Sequence, residues 1–244
     1  MMEILSQRRR RALGGYMFIA PWLLGFLLLT LGPMLASVVL SFSSWSMLSP
    51  PSWVGLSNFE RMFTDDPLFF TSLWNTAYYV TLAVPLTVGL GLVLALLLDQ
   101  PLKGITLFRT IFFLPSVTNM VAVSVLWLWV FNPEFGLLNR ALALVGIEGP
   151  LWLQSESWAK PSLVLMSLWG VGGTMMIFLA ALQGIPGELY EAADLDGAGP
   201  YRKFLHVTLP MISPALFFCV VIGIIGSFQV FTQAFVMTGT VQPG

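Results

Sequence analysis

The stretch Gly184-Ile185-Pro186-Gly187-Glu188-Leu189-Tyr190-Glu191-Ala192-Ala193-Asp194-Leu195-Asp196-Gly197 is a charged island between two apolar runs. Pro186 suits a helix start, where its missing N–H has no partner to lose. Glu188 and Glu191 fall early in that helix, where acidic groups complement the dipole. Gly197 suits a left-handed stop. A short helix over about 188–196 is predicted. The spacing i, i+3, i+4, i+7 puts Leu189, Ala192, Ala193 and Asp196 on one face. The two alanines keep this face shallow, so it fits a partner's groove. An amphipathic helix resting on lipid headgroups is an equal reading of the residues alone. After Gly199-Pro200 a second helix begins with Tyr201, Arg202, Lys203 and Phe204 and leads through Leu209-Pro210 into the next apolar run.

Those apolar runs decide the class. Of 244 residues, 57% are hydrophobic and 9% charged, where a soluble domain carries roughly 25% charged residues. The excess apolar surface must face lipid. Five stretches reach the length of about 20 residues that a spanning helix needs. They are Tyr16–Ser41, Leu73–Leu98, Thr110–Phe131, Pro161–Gln183 and Ser213–Val236, and none holds Asp, Glu, Lys or Arg. The first run is longer than the roughly 7–15 residues of a signal-peptide core, so it reads as an uncleaved span.

Basic residues set the orientation. With the N-terminus inside, the inner segments hold Arg8, Arg9, Arg10, Arg11, Lys103, Arg109, Arg202 and Lys203, leaving only Arg61, Arg140 and Lys160 outside. Such a bias favours a cytoplasmic N-terminus. The loop 184–210 is then cytoplasmic and the chain ends outside. A net charge of −1 and no basic stripe beyond Arg8–Arg11 argue against a nucleic-acid partner. The single cysteine, Cys219, cannot form an intrachain disulfide and reads as packing.

The outer segments Ser43–Phe70 and Asn132–Ala159 carry turn signals at Pro50-Pro51, Asp65-Asp66-Pro67, Asn132-Pro133 and Gly149-Pro150. Trp45, Trp53, Trp74, Trp127, Trp129, Trp152 and Trp158 fall near the outer membrane edge, where indole rings anchor. Pro21, Pro33, Pro85 and Pro115 lie within spans and Pro214 opens the fifth; each permits a kink. Gly170, Gly172, Gly173 and Thr174 form a small-residue patch, read first as helix packing and second as a solute path.

Missing chemistry excludes several classes. His206 is the only histidine, which rules out an H-E-x-x-H metal site, and it reads as a helix residue without chemistry. There is no G-x-S-x-G elbow. No span carries the ionisable groups usual in ion-driven transporters. No lysine follows a glycine, so no G-K-[ST] nucleotide loop exists. No catalytic residue, metal or cofactor is expected. Energy for any transport must come from another chain.

The island then acquires a meaning. Glu191-Ala192-Ala193, Gly197 and Val207-Thr208-Leu209-Pro210 resemble the EAA loop of ABC importer permeases in every spacing, with Val207 where isoleucine is typical. Phe113-Leu114-Pro115, Trp127 through Phe131-Asn132-Pro133 and Gly136-Leu137-Leu138-Asn139 resemble the third span and following loop of carbohydrate-uptake permeases. Trp53-Val54-Gly55-Leu56-Ser57-Asn58-Phe59 resembles their first outer loop. Ser227-Phe228-Gln229-Val230-Phe231 and Val236-Met237-Thr238-Gly239 resemble the end of their fifth span. The resemblance covers nearly the whole chain and is strongest to the first permease subunit of maltose- and glycerol-phosphate-type importers.

What the resemblance implies is an all-α polytopic membrane helical bundle of the type I ABC importer permease kind, in the inner membrane of a prokaryote. Residues 1–70 would hold the cytoplasmic segment, first span and outer loop, and 71–244 the permease core. The family has six spans, so five leave the core incomplete at its C-terminus. Partners would be ABC ATPase subunits, a second permease subunit, an extracytoplasmic solute-binding protein and membrane lipid. Glu191, Ala192, Ala193, Gly197, Leu209 and Pro210 would couple to the ATPase. Asn119, Thr174, Gln229 and Gln233 are the polar candidates for the solute path, each equally suited to interhelical hydrogen bonds. The solute expected is a sugar or sugar-like compound. A permease for amino acids or peptides, a secondary transporter and a membrane scaffold remain as alternatives.

Overall fold

The computed structural model describes the backbone of residues 2–239 and the side chains of 12–239. The side chains of Arg8–Arg11 and the expected outer end from residue 240 lie outside the described residues. The chain divides into two compact units, 1–71 and 72–244.

In the first unit, helix α1 (Met2–Phe26) runs through a wider π turn (Leu27–Leu31) into α2 (Gly32–Leu40). The π turn sits just ahead of Pro33. Proline has no N–H to return to the carbonyl four residues back. Gly32 N–H instead reaches the carbonyl of Leu27, five residues back. A two-residue hairpin follows, β1 (Ser43–Ser44) against β2 (Ser52–Trp53), antiparallel with Ser43 opposite Trp53. Then comes α3 (Ser57–Thr64). Asn58 Nδ2 donates to the carbonyls of Ser41, at 2.8 Å, and Ser43, at 3.0 Å. Phe42 lies against Trp53 and Phe59, with ring centroids 5.6 and 5.5 Å apart. The outer-loop motif is thus a clasp on the end of the first span.

Helix α4 (Pro67–Leu98) is unbroken for 32 residues despite Pro85. The helices after it are interrupted. The expected third span is α5 (Ile105–Phe113), a 3₁₀ turn (Leu114–Val117) and α6 (Met120–Val130), bent by 101° at Thr118–Asn119. This corrects the reading of Thr110–Phe131 as one spanning helix. Asn119 has extended backbone (ψ 130°) and its Oδ1 accepts the N–H of Val121 at 2.9 Å, starting a new helix. After α7 (Leu137–Leu144), helix α8 (Glu156–Ser167) bends by 46° through a 3₁₀ turn into α9 (Gly172–Gln183), close to the predicted fourth span.

The cytoplasmic loop supplies α10 (Gly187–Leu195), α11 (Pro200–Lys203), a π turn (Phe204–Thr208) and α12 (Leu209–Met211). Again the π turn directly precedes a proline, Pro210, and Leu209 N–H bonds back to Phe204. A 65° bend leads into α13 (Ser213–Phe228), which stops at Gln229. A separate α14 (Thr232–Thr238) follows, so the expected fifth span is two pieces. Among the described residues, two helices are long and apolar enough to cross a membrane, or up to five if each bent pair counts as one span.

Among the described residues, two cores hold the second unit. One joins Ala95 and Leu98 of α4, Met175, Phe178, Leu179 and Leu182 of α9, Ile212, and Cys219 of α13. The other joins Val123, Trp127, Phe131, Trp152, Met166 and Met237. Phe131 sits between Trp127 (4.9 Å) and Trp152 (5.5 Å). This corrects the interfacial reading of two tryptophans: Trp127 and Trp152 are buried. The reason is the bend at Asn119, which sets α6 against α14, with the loop after it folded onto its end. Trp45, Trp53, Trp74, Trp129 and Trp158 are exposed, as an anchoring role requires.

Gly172 permits a close approach between α9 and α5. A Cβ there would overlap the carbonyl oxygen of Phe112 in α5. Packing, the first role read for the glycine patch, is what this residue does.

Candidate functional site

The EAA segment begins with Pro186 as the N-cap of α10. It ends on Gly197 at φ +73°. Gly197 N–H donates to Asp194 O at 3.0 Å and Ala198 N–H to Ala193 O at 2.9 Å. That pair is a Schellman cap, and it closes only with a left-handed residue.

Two side-chain contacts tie α10 to the helix that follows. Tyr190 Oη lies 2.9 Å from Thr208 Oγ1, partly buried. Lys203 Nζ pairs with Asp194. Together they roll the helix so that Ala193 is half-buried while Glu188, Glu191, Ala192 and Asp196 stay exposed. The face read from spacing (Leu189, Ala192, Ala193, Asp196) is therefore split. Leu195, at 90% exposure, completes the outward strip. Leu209 is half-buried and Pro210 exposed, beyond the π turn at the entry to the next span. His206 Nδ1 lies 3.1 Å from Arg202 O, a local contact within its own helix.

Deeper in the unit is a cavity of ≈ 320 Å³ between α4, the bent α5–α6 pair, the α8–α9 bend and the α13–α14 break. Thr174 and Gln233 line it. Asn119 and Gln229 do not. Asn119 is exposed and committed as a helix cap, and Gln229 is exposed as the C-cap residue of α13. Tyr79, Ser116, Thr118 and Ser227 line the cavity too and were not singled out from the sequence, since isolated polar residues in apolar runs carry no periodic mark. Tyr79 lies within side-chain hydrogen-bonding reach of Ser167 and Gln233, joining α4, α8 and α14 at one wall.

The loop after α6 is tied together by side-chain hydrogen bonds. Asn132 Oδ1 accepts the N–H groups of Glu134 and Phe135, at 2.9 and 3.1 Å. Trp152 Nε1 donates to Asn139 Oδ1 at 2.6 Å, and Asn139 Nδ2 donates to Pro133 O at 3.1 Å. The spaced motif from Phe131 to Asn139 is this network. Among the described residues no group of His, Cys, Asp and Glu could hold a metal ion.

Residues 87–240 match the family described as binding-protein-dependent transport system inner membrane component. A probable ABC transporter permease, YesP of Bacillus subtilis (strain 168), is 41% identical over 232 residues, 94% of this chain and 75% of that protein. The chain belongs to the binding-protein-dependent inner membrane component family. The permease is also 34% identical over 232 residues to the arabinooligosaccharides transport system permease protein AraP of the same organism, covering 94% of this chain and 73% of AraP. Its fold matches a chain of a bacterial ABC transporter that imports the acidic polysaccharide alginate, with TM-score 0.82 at 24% identity over 98% of the permease and 81% of that chain. It is thus an all-α inner-membrane permease, a transport subunit whose loop and bent spans fit the fold of importers.

Proposed function

We propose that this permease forms half of the path through a sugar importer and that α10 is its lever. The observation that carries the reading is the exposed strip Glu191, Ala192 and Leu195 on a helix closed by Gly197 and tied to the following helix by Tyr190–Thr208 and Asp194–Lys203. A separate ATPase chain grips that strip. Glu191 offers it a carboxylate, Ala192 close approach, and Leu195 an apolar plug. Ala193 seats the helix, Gly197 turns the chain, and Leu209 and Pro210 pass the motion into α13. A second permease subunit completes the path and a solute-binding protein delivers the solute to the outer loops. Residues 71–244 act as the permease core, and the N-terminus is cytoplasmic. Movement of packed helices as rigid bodies about the breaks at Asn119, Val171 and Ile212 fits the hinge and shear repertoire of such switches.

A sugar-like solute is supported by AraP, named for arabinooligosaccharides. The test is affinity purification of the tagged permease from native membranes, followed by uptake in ATP-loaded proteoliposomes. An ATPase and a second permease should co-purify, and uptake should need internal ATP. Uptake driven by an ion gradient without ATP overturns the proposal.

A further inference from the structure

The cavity wall carries no charge. Among the described residues, no Asp, Glu, Lys, Arg or His lines it. Its polar side chains are chiefly hydroxyls, with the Gln233 amide, the Trp169 indole and the Cys219 thiol. Ser116 donates to Phe113 O at 2.7 Å and keeps lone pairs for an incoming donor, while Ser167 donates to Val164 O at 2.6 Å and also faces Tyr79. Thr87, Thr174 and Ser227 make no side-chain hydrogen bond among the described residues and can both donate and accept. The Gln233 amide adds an acceptor and two donors. The aromatic rings of Tyr79 and Trp169 line the same space.

Lys160 and Arg109 are engaged elsewhere. Lys160 donates to Asn75 Oδ1 at 3.2 Å and sits over the Tyr78 ring, and Arg109 donates to the Leu98 carbonyl at 3.1 and 2.6 Å. Neither lines the cavity. An anionic solute entering here would shed water without gaining a cation from the described residues of this chain, and an unpaired charge in such surroundings is costly. A polyhydroxy solute faces no such loss. Each of its hydroxyls donates and accepts, as the wall does, and its C–H faces suit the aromatic rings. The volume lies at the lower end of ligand pockets, roughly 300–1,000 Å³, and suits a short segment of a longer chain.

We infer that this permease passes an uncharged saccharide and refuses acidic sugars and sugar phosphates at this cavity. The inference rests on the importer reading above and narrows its solute. It also sets this chain apart from the structural neighbour, whose solute is the acidic polysaccharide alginate.

The test uses the complete importer in ATP-loaded proteoliposomes with its binding protein. The labelled probes are arabinotriose, lactose, digalacturonate and glycerol 3-phosphate. Uptake of at least one neutral probe should exceed that of either acidic probe by tenfold or more. Ser227→Lys, which adds a cation to the wall, should shift that ratio about tenfold towards the acidic probes. Selection by the binding protein alone would leave the ratio unmoved. Thr87→Lys, on another wall, serves if the first variant loses binding-protein-stimulated ATPase activity. Faster uptake of an acidic probe, or a ratio unmoved in an ATPase-active variant, overturns the inference while the importer reading stands. ATP-independent uptake, or no uptake of any probe, removes the importer or sugar reading itself.

Discussion

Tyr190 Oη and Thr208 Oγ1 meet at 2.9 Å across the gap between α10 and the helix that leads into α13. Thr208 is buried and Tyr190 half-buried, so the bond is shielded from water. It links the exposed helix to the π turn ahead of Pro210, where the chain enters the membrane-spanning part. The Tyr190→Phe variant removes the bond and keeps the ring. A loss of about 1 kcal/mol is expected from one hydrogen bond. Uptake should fall several-fold while the permease still co-purifies with its ATPase. Unchanged uptake per ATP hydrolysed would show that the bond carries no coupling.

Gly197 should tolerate no side chain without cost. Its φ of +73° is left-handed, and a residue with a Cβ loses roughly 1–2 kcal/mol there. Gly197→Asp should abolish uptake with normal amounts of protein in the membrane, as judged by immunoblot. Glu191→Lys should do the same by reversing an exposed charge. Normal uptake by either variant removes the coupling role from this loop.

Gly172→Leu tests packing rather than transport. Its Cβ would meet the Phe112 backbone, which cannot swing away like a side-chain tip. Overpacking typically costs about 1–3 kcal/mol. The variant should melt lower in a fluorescence-detected size-exclusion assay. Gly170→Ala, with nothing within 4 Å of the new Cβ, should not.

Asn119 and Thr174 should separate cleanly. Asn119→Ala loses a helix cap, about 1 kcal/mol, and should lower the melting temperature without altering KM for the solute. Asn119→Asp keeps an acceptor and should restore stability. Thr174→Val, at the cavity, should raise KM with little change in melting. A raised KM in Asn119→Ala would return Asn119 to the solute path.

Composition and charge-free runs were enough to establish a helical membrane protein, because a chain with so few charges cannot cover itself for water. Local chemistry was equally legible in the loop. Pro186, the early acids and Gly197 act through their own backbone, and α10 formed within a residue of its expected limits. The π turns ahead of Pro33 and Pro210 belong to the same class of effect, one missing N–H felt five residues back.

Other features depended on partners distant in sequence. Thr110–Phe131 reads as one apolar run, yet the chain turns by 101° where Asn119 caps a new helix and α6 finds α14. Trp127 and Trp152 look like interfacial anchors until that turn buries them around Phe131. The outward face of α10 was chosen by Tyr190 and Asp194 bonding to residues in the next helix, not by helical spacing. The cavity is the clearest case, since Tyr79, Thr174 and Gln233 lie on helices far apart in the chain and carry no shared pattern. Sequence alone determined that this protein lives in a membrane and where its exposed loop helix starts and stops, because those properties are summed or local. Which side chains face a partner and which enclose the solute was decided only by tertiary structure, through contacts between residues that the chain's own order does not bring together.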